Sequence, residues 1–218
     1  LSFAPTGDAR PTVLPLHSPV ALATTSATAA PQTTAQVIYD RSDEQEVERL
    51  LNDTSLRTSL DFARRLKGRP YVAATLEVAD PERLVVNLRG LDCATLVETA
   101  SALAMTRREG KRRFADYCRN LERLRYFDGH VAGYTSRLHY LSFWMADHLR
   151  RKTIEEVVLP TNLTQPLHID LHYMSRHAES YPMLRNHPER VREIARLERK
   201  YSGNVGRFLP KSKVGLSR

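Results

Sequence analysis

Cysteine is scarce in this chain: Cys93 and Cys118 are the only two in 218 residues. Two thiols cannot build a disulfide scaffold, and their spacing is not that of a zinc ribbon. Long apolar runs are missing as well. No stretch approaches the roughly 18 to 20 uncharged apolar residues that span a bilayer, so no transmembrane segment is expected. The formal net charge of +8 suggests a polyanion, but no nucleic-acid motif is present and no aromatic residues interleave with a basic strand. The clusters Arg107–Arg113 and Arg150–Lys152 fall instead at expected helix ends, where the helix dipole favours cations. A nucleic-acid partner is therefore not expected. No internal repeat is visible.

What is present is ordinary globular composition, 41% apolar and 27% charged, at a length suited to one compact domain. Residues 1–36 differ from the rest: rich in Ala, Thr, Ser and Pro and poor in charge, they read as a disordered leader or linker. The small-residue texture of Val20–Ala30 is similar to the tail of an export signal, which points to a periplasmic or exported protein. Residues 37–218 read as a single folded domain.

Ser42, followed by Asp43, Glu44 and Gln45, fits a helix start with acidic residues in the first turn. A second helix runs through Leu60, Phe62, Ala63 and Leu66 and stops at Gly68. Leu84–Leu88 is a short buried strand. A Gly-containing turn then leads into a helix that starts near Cys93, with Leu96, Val97, Ala100, Leu103 and Ala104 at helical spacing. Further helices are expected over Arg112–Arg125, through Leu141–Leu149, and from Pro188 to near Gly203. Strands are expected at Ile154–Leu159 and Leu167–Tyr173. The class is α+β with more helix than sheet.

Cys93 is the sharpest chemical feature. At the first turn of a helix, unpaired amide N–H groups and the dipole stabilise a thiolate, and the same amides can hold an oxyanion. Asp92 is placed to cap this helix. A thiol nucleophile needs an imidazole to take its proton and a third polar group to orient that imidazole. His17 lies in the leader, His130 and His187 read as loop residues, and His148 reads as an exposed position late in a helix. His139, His168, His172 and His177 remain, and spacing alone does not choose among them. On the expected strand, His168, Asp170 and His172 share one face, which makes a metal-dependent hydrolase the rival chemistry.

Gly68-Arg69-Pro70-Tyr71-Val72, followed by Leu91-Asp92-Cys93-Ala94-Thr95, resembles the NlpC-type cysteine peptidases, which carry a Gly-x-Pro-Tyr segment and an Asp-Cys pair entering a helix. The stretches Tyr71–Glu77, Val85–Glu98, Gly133–Trp144 and Tyr173–Leu184 look like one branch of them, the N-acetylmuramoyl-L-alanine amidase-like family. The resemblance covers roughly residues 43–210, as a single domain of this size would. It implies a papain-like core in which the cysteine helix packs on a small antiparallel sheet, with extra helices. It also implies Cys93 as nucleophile, His139 as general base and a muropeptide or peptidoglycan fragment as substrate, cut between the muramoyl lactyl group and L-alanine. Related enzymes cut after γ-D-glutamate, which is the alternative bond.

In that family the third catalytic group follows the base, and His172 fits the description, with Glu156 as an alternative orienter. Tyr71 matches a tyrosine that lines the peptide cleft, and Glu77, Arg137 and His177 are expected to contact sugar or stem peptide. The resemblance implies no metal and no cofactor, and a monomer is expected. Cys93 must stay a free thiol for this chemistry, so no disulfide to Cys118 is expected. A third reading is a non-catalytic glycan- or peptide-binding relative in which Cys93 is structural.

Overall fold

The computed structural model describes residues 37–216. The leader or linker expected over 1–36 lies outside the described residues. The elements run β1 (Val37–Ile38), α1 (Arg41–Asn52), α2 (Ser59–Arg65), β2 (Leu84–Val85), α3 (Cys93–Arg108), α4 (Phe114–Arg125), α5 (Leu141–Arg150), β3 (Gln165–Ile169), α6 (Tyr173–Arg176), α7 (Pro188–Tyr201) and β4 (Gly203–Phe208). The result is a helix-rich α+β structure with small sheets.

Each early helix begins where a short polar side chain can satisfy orphan amides. Asp40 caps α1, with Asp43 bonding back to the Asp40 amide. The cap therefore falls ahead of Ser42, because Asp40 already accepts both the amide and the hydroxyl of Ser42. Thr58 and Asp61 make the same reciprocal pair at the start of α2.

Apolar positions on α1, α2, α3 and α4 then meet in the main core. Val47, Leu50, Leu51, Phe62, Leu103, Tyr117 and Leu121 have no solvent exposure. Burial of each such leucine or phenylalanine stabilises by about 2 kcal/mol. Helix α3 packs chiefly on α4 and α2, where the sequence reading expected a small antiparallel sheet beneath it. The reason lies in α3 itself: Ala100, Ala102 and Leu103 are buried against neighbouring helices.

Strands β1 and β2 pair in parallel, Val37 opposite Leu84 and Ile38 opposite Val85. Strands β3 and β4 form a separate antiparallel pair with an irregularity between Leu167 and His168. Two expected strands differ from the structure. Residues 154–159 form no strand, and Val157 and Val158 stand in solvent. The alternation of Leu167–Tyr173 ends as a strand at Ile169, because His172 occupies the N-cap position of α6 and Tyr173 is already helical. No helix among the described residues is long and apolar enough to cross a membrane.

Candidate functional site

Asp92 and Thr95 set the position of Cys93. Asp92 takes the N-cap position of α3, its carboxylate accepting from the Thr95 amide at 2.8 Å, while the Thr95 hydroxyl accepts from the Asp92 amide at 2.9 Å. The Leu96 amide is bonded to the Asp92 carbonyl. Among the described residues, nothing accepts from the Cys93 and Ala94 amides, so two N–H donors stay open beside the thiol. Cys93 is exposed and not in a disulfide. Cys118, the other thiol, is buried in α4, and burial pushes its pKa up to about 12.

The backbone just before Cys93 is held by the Tyr71 segment. Tyr71 and Leu91 form an isolated parallel bridge, with the Leu91 amide donating to the Pro70 carbonyl at 3.0 Å and the Val72 amide to the Leu91 carbonyl at 3.2 Å. The approach is close at Gly90. A Cβ there would sit 2.7 Å from Val72 Cγ2, so any larger residue would force Val72 to shift. The Tyr71 ring is left in solvent at 73% exposure, free to meet a ligand.

The other end of this segment is anchored by Arg137. Its guanidinium donates to Glu77 Oε1, to the Leu76 carbonyl at 3.2 Å and to both oxygens of Glu82 at 2.9 and 2.7 Å. The Tyr126 hydroxyl adds a bond to Glu82 at 2.8 Å. All these groups lie in or at the edge of the interior, so Arg137 and Glu77 are occupied with each other. Glu82 was not singled out from the sequence. It stands in an unremarkable Asp-Pro-Glu-Arg loop, and no sequence signal marked it as the buried partner of an arginine.

His139 follows on the same strand-like stretch, which pairs through Tyr126 and Arg137 and through the Leu138 amide to the Arg125 carbonyl. Its Nε2 lies 2.9 Å from the Tyr134 carbonyl, so Nε2 carries the proton and Nδ1 is the free acceptor. The ring packs on Tyr134 with centroids 4.5 Å apart. Burial, aided by the charge of Arg137, pushes its pKa down to about 3, so the imidazole is neutral near pH 7. No hydrogen bond among the described residues joins His139 to Cys93.

The remaining predicted residues gather elsewhere. His172 stands at the start of α6 with Nδ1 3.3 Å from Asp170 Oδ2. His177 ends that helix, donating from Nδ1 to the Tyr173 carbonyl at 2.8 Å and stacking on the Tyr173 ring. His168 is on β3. With His172 on a helix cap rather than a strand, the two imidazoles no longer share a strand face with Asp170. Among the described residues, no three His, Cys, Asp or Glu side chains are placed to share a metal ion. His148 is also placed differently from the sequence expectation. It is fully buried, because Nε2 bonds the Leu124 carbonyl at 3.0 Å and Nδ1 bonds Thr153.

Comparison with known proteins follows the same lines. Residues 61–217 match the model of the AmiA-like family, described as N-acetylmuramoyl-L-alanine amidase-like. A solved N-acetylmuramoyl-L-alanine amidase from Bacteroides uniformis is 34% identical with a TM-score of 0.59, over 71% of this chain and 64% of that one. A Bacteroides fragilis protein solved as a candidate xylanase is 42% identical with a TM-score of 0.58, over 66% of this chain and 62% of that one. A Legionella pneumophila protein at 16% identity and a TM-score of 0.52, over 81% of this chain and 66% of that one, shares the fold. The chain thus spans less than two thirds of the length of the first of these structures. No curated protein sequence matches. With a family model matched over most of its described residues, the chain belongs to the N-acetylmuramoyl-L-alanine amidase-like family.

Proposed function

We propose that this protein is a peptidoglycan amidase that hydrolyses the amide between the muramoyl lactyl group and L-alanine, with Cys93 as nucleophile. The observation that carries this reading is the exposed Cys93 thiol at the first position of α3, beside two amide donors with no acceptor among the described residues. The family and the Bacteroides uniformis amidase supply the substrate class. The Asp-Cys entry into a helix keeps the likeness to NlpC-type, papain-like enzymes.

In this mechanism His139 is the general base. Its Nδ1 takes the Cys93 proton, and the Tyr134 carbonyl holds the ring through Nε2–H in the role expected of a third side chain. Neither His172 nor Glu156 hydrogen-bonds to His139 among the described residues. The thiolate attacks the lactyl carbonyl, and the Cys93 and Ala94 amides stabilise the tetrahedral oxyanion. The imidazolium then protonates the departing L-alanine amine as the carbon–nitrogen bond breaks. Water hydrolyses the thioester and returns the thiol. The thiol and imidazole come within hydrogen-bonding distance when substrate is seated, as catalytic contacts often tighten only in the Michaelis complex. Tyr71 lines the approach, and Arg137 is a positioning residue that holds Glu77 and the segment between them. We place this work in the periplasm or outside the cell, where the substrate lies.

The test is digestion of defined muropeptides by the wild type, Cys93→Ala and His139→Ala, read by mass spectrometry with and without chelator. Free stem peptide from wild type alone, with chelator present, supports the reading. Cleavage after γ-D-glutamate reassigns the bond. Full activity in His139→Ala moves the base to another imidazole, and activity in Cys93→Ala ends the cysteine mechanism.

A further inference from the structure

Between α6, α7 and the turn at Asp170 lies a cavity of about 350 Å³ whose walls include Asp170, His172, Arg176, Glu198 and Arg199. Glu198 is 1% exposed. Its Oε1 accepts from the Tyr140 hydroxyl at 2.6 Å and from the Met174 and Ser175 amides at 3.0 and 3.3 Å. Its Oε2 is buried and, among the described residues, accepts from nothing. His172 Nδ1, in the same wall, is also buried without a hydrogen bond among the described residues, since Asp170 Oδ2 at 3.3 Å lacks the geometry for one. A buried carboxylate oxygen without a donor is costly, and native folds rarely keep one unless a ligand or water supplies the proton.

The rim carries charge of both signs, because the Asp170 carboxylate is 72% exposed. Arg176 and Arg199 are exposed, and among the described residues neither guanidinium has a hydrogen-bond or ion-pair partner. The cavity thus offers the Glu198 acceptor in its depth, and cationic donors beside the Asp170 carboxylate at its mouth, at a volume near the lower end for small-molecule sites. We infer that this cavity binds a free α-amino acid, its ammonium group donating to Glu198 Oε2 and its carboxylate lying against Arg176 and Arg199. Asp170 and His172 Nδ1 take the remaining ammonium hydrogens. Cys93 does not line this cavity, and occupancy requires no bond cleavage.

The experiment is isothermal titration of the full chain with glycine, L-alanine, D-alanine, L-glutamate and L-lysine in turn. The tightest binder is then compared with its N-acetylated form and its carboxamide. Saturable binding by at least one free amino acid is expected, with each blocked form weaker by roughly tenfold or more, because each loses one charge-assisted contact. Arg176→Ala combined with Arg199→Ala is expected to weaken binding by roughly tenfold or more on the same ground. These surface changes leave the fold intact and so decide the matter even if Glu198→Gln fails to fold. No binding by any of the five, equal binding by a blocked form, or an unchanged constant in the double variant overturns the inference. Cys93→Ala is expected to bind as wild type, so failure of the amidase reading and failure of this one are read separately.

Discussion

Arg137 and Glu82 form a two-pronged ion pair out of solvent, Nε 2.9 Å from Oε1 and Nη2 2.7 Å from Oε2, with side-chain exposures of 8% and 2%. Such a pair adds little over apolar packing while intact, but removing one member strands the other charge. Arg137→Ala is therefore expected to lower unfolding free energy by about 3–5 kcal/mol, read from urea denaturation. Arg137→Lys keeps the charge and loses the fork, so its loss should be smaller. A change below about 0.5 kcal/mol in Arg137→Ala, the range of an ordinary surface substitution, would show that the pair does not anchor this region.

Thiol chemistry should separate the two cysteines. Cys93 is exposed, whereas Cys118 is buried with its pKa pushed up to about 12. Iodoacetamide at pH 8 should modify Cys93 in the native protein and reach Cys118 only after unfolding, as peptide mass mapping would show. Equal labelling of both in native protein would contradict the structure.

Asp92→Ala removes the carboxylate that accepts the Thr95 amide at the start of α3. The expected cost is about 1 kcal/mol of stability, typical of a lost N-cap. Since the cap fixes the turn that presents the thiol, Cys93 alkylation should slow as well. An unchanged melting temperature together with an unchanged alkylation rate would mean that the cap does neither.

Stability should fall as pH is lowered from 7 towards 4. Burial holds the pKa of His139 at about 3, so its imidazole stays neutral in the folded protein through this range, and burial lowers that of His148 as well. In the unfolded chain an imidazole takes up its proton at about pH 6.5. Between about pH 6.5 and 3 the unfolded state therefore binds more protons, and the stability present above that window is lost as pH falls. Urea midpoints at pH 7 and 4.5 test this, and His139→Gln should make the drop shallower. A midpoint that rises on acidification would refute it.

Gly90→Ala would place its Cβ 2.7 Å from Val72 Cγ2 and 3.0 Å from Val72 Cβ. A branched side chain next to the backbone cannot swing away, so about 1–3 kcal/mol of strain is expected. The same change should disturb the pairing of Tyr71 with Leu91. Circular dichroism melting and Cys93 alkylation together would detect both effects.

The parts of this fold that were legible in the sequence are those fixed by local chemistry. Asp92 before Cys93, Pro188 at the start of α7 and Gly68 after α2 each mark a helix end within a few residues. The cysteine at the head of α3 was visible for the same reason. What could not be read depends on distant partners. His148 looks like a surface residue until the Leu124 carbonyl, brought in from α4, takes its Nε2. The strand-like alternation at Leu167–Tyr173 breaks because Glu198, on a helix later in the chain, accepts the Met174 and Ser175 amides and so stabilises the start of α6. Residues 154–159 carry Ile154, Val157 and Val158 yet find no strand partner among the described residues. At the site, Cys93 and its cap were legible, whereas the ion pair of Arg137 with Glu77 and Glu82 joins positions far apart in sequence that no periodicity connects.

The segment from Tyr71 to Glu77 is fixed at one end by Leu91 and at the other by Arg137, while Tyr71, Val72, Ala73 and Ala74 lie in solvent. With so little apolar burial of its own, its opening free energy is set by those two attachments and not by the helical core. In native-state hydrogen exchange, the Val72 and Leu91 amides should therefore behave as one cooperative unit. They should exchange well before the Val86 amide, which bonds Ile38 at 2.8 Å beneath the main core. The exposed segment that pairs with the residues just before Cys93 would then fluctuate at an energy far below global unfolding, leaving the thiol's helix in place each time it does.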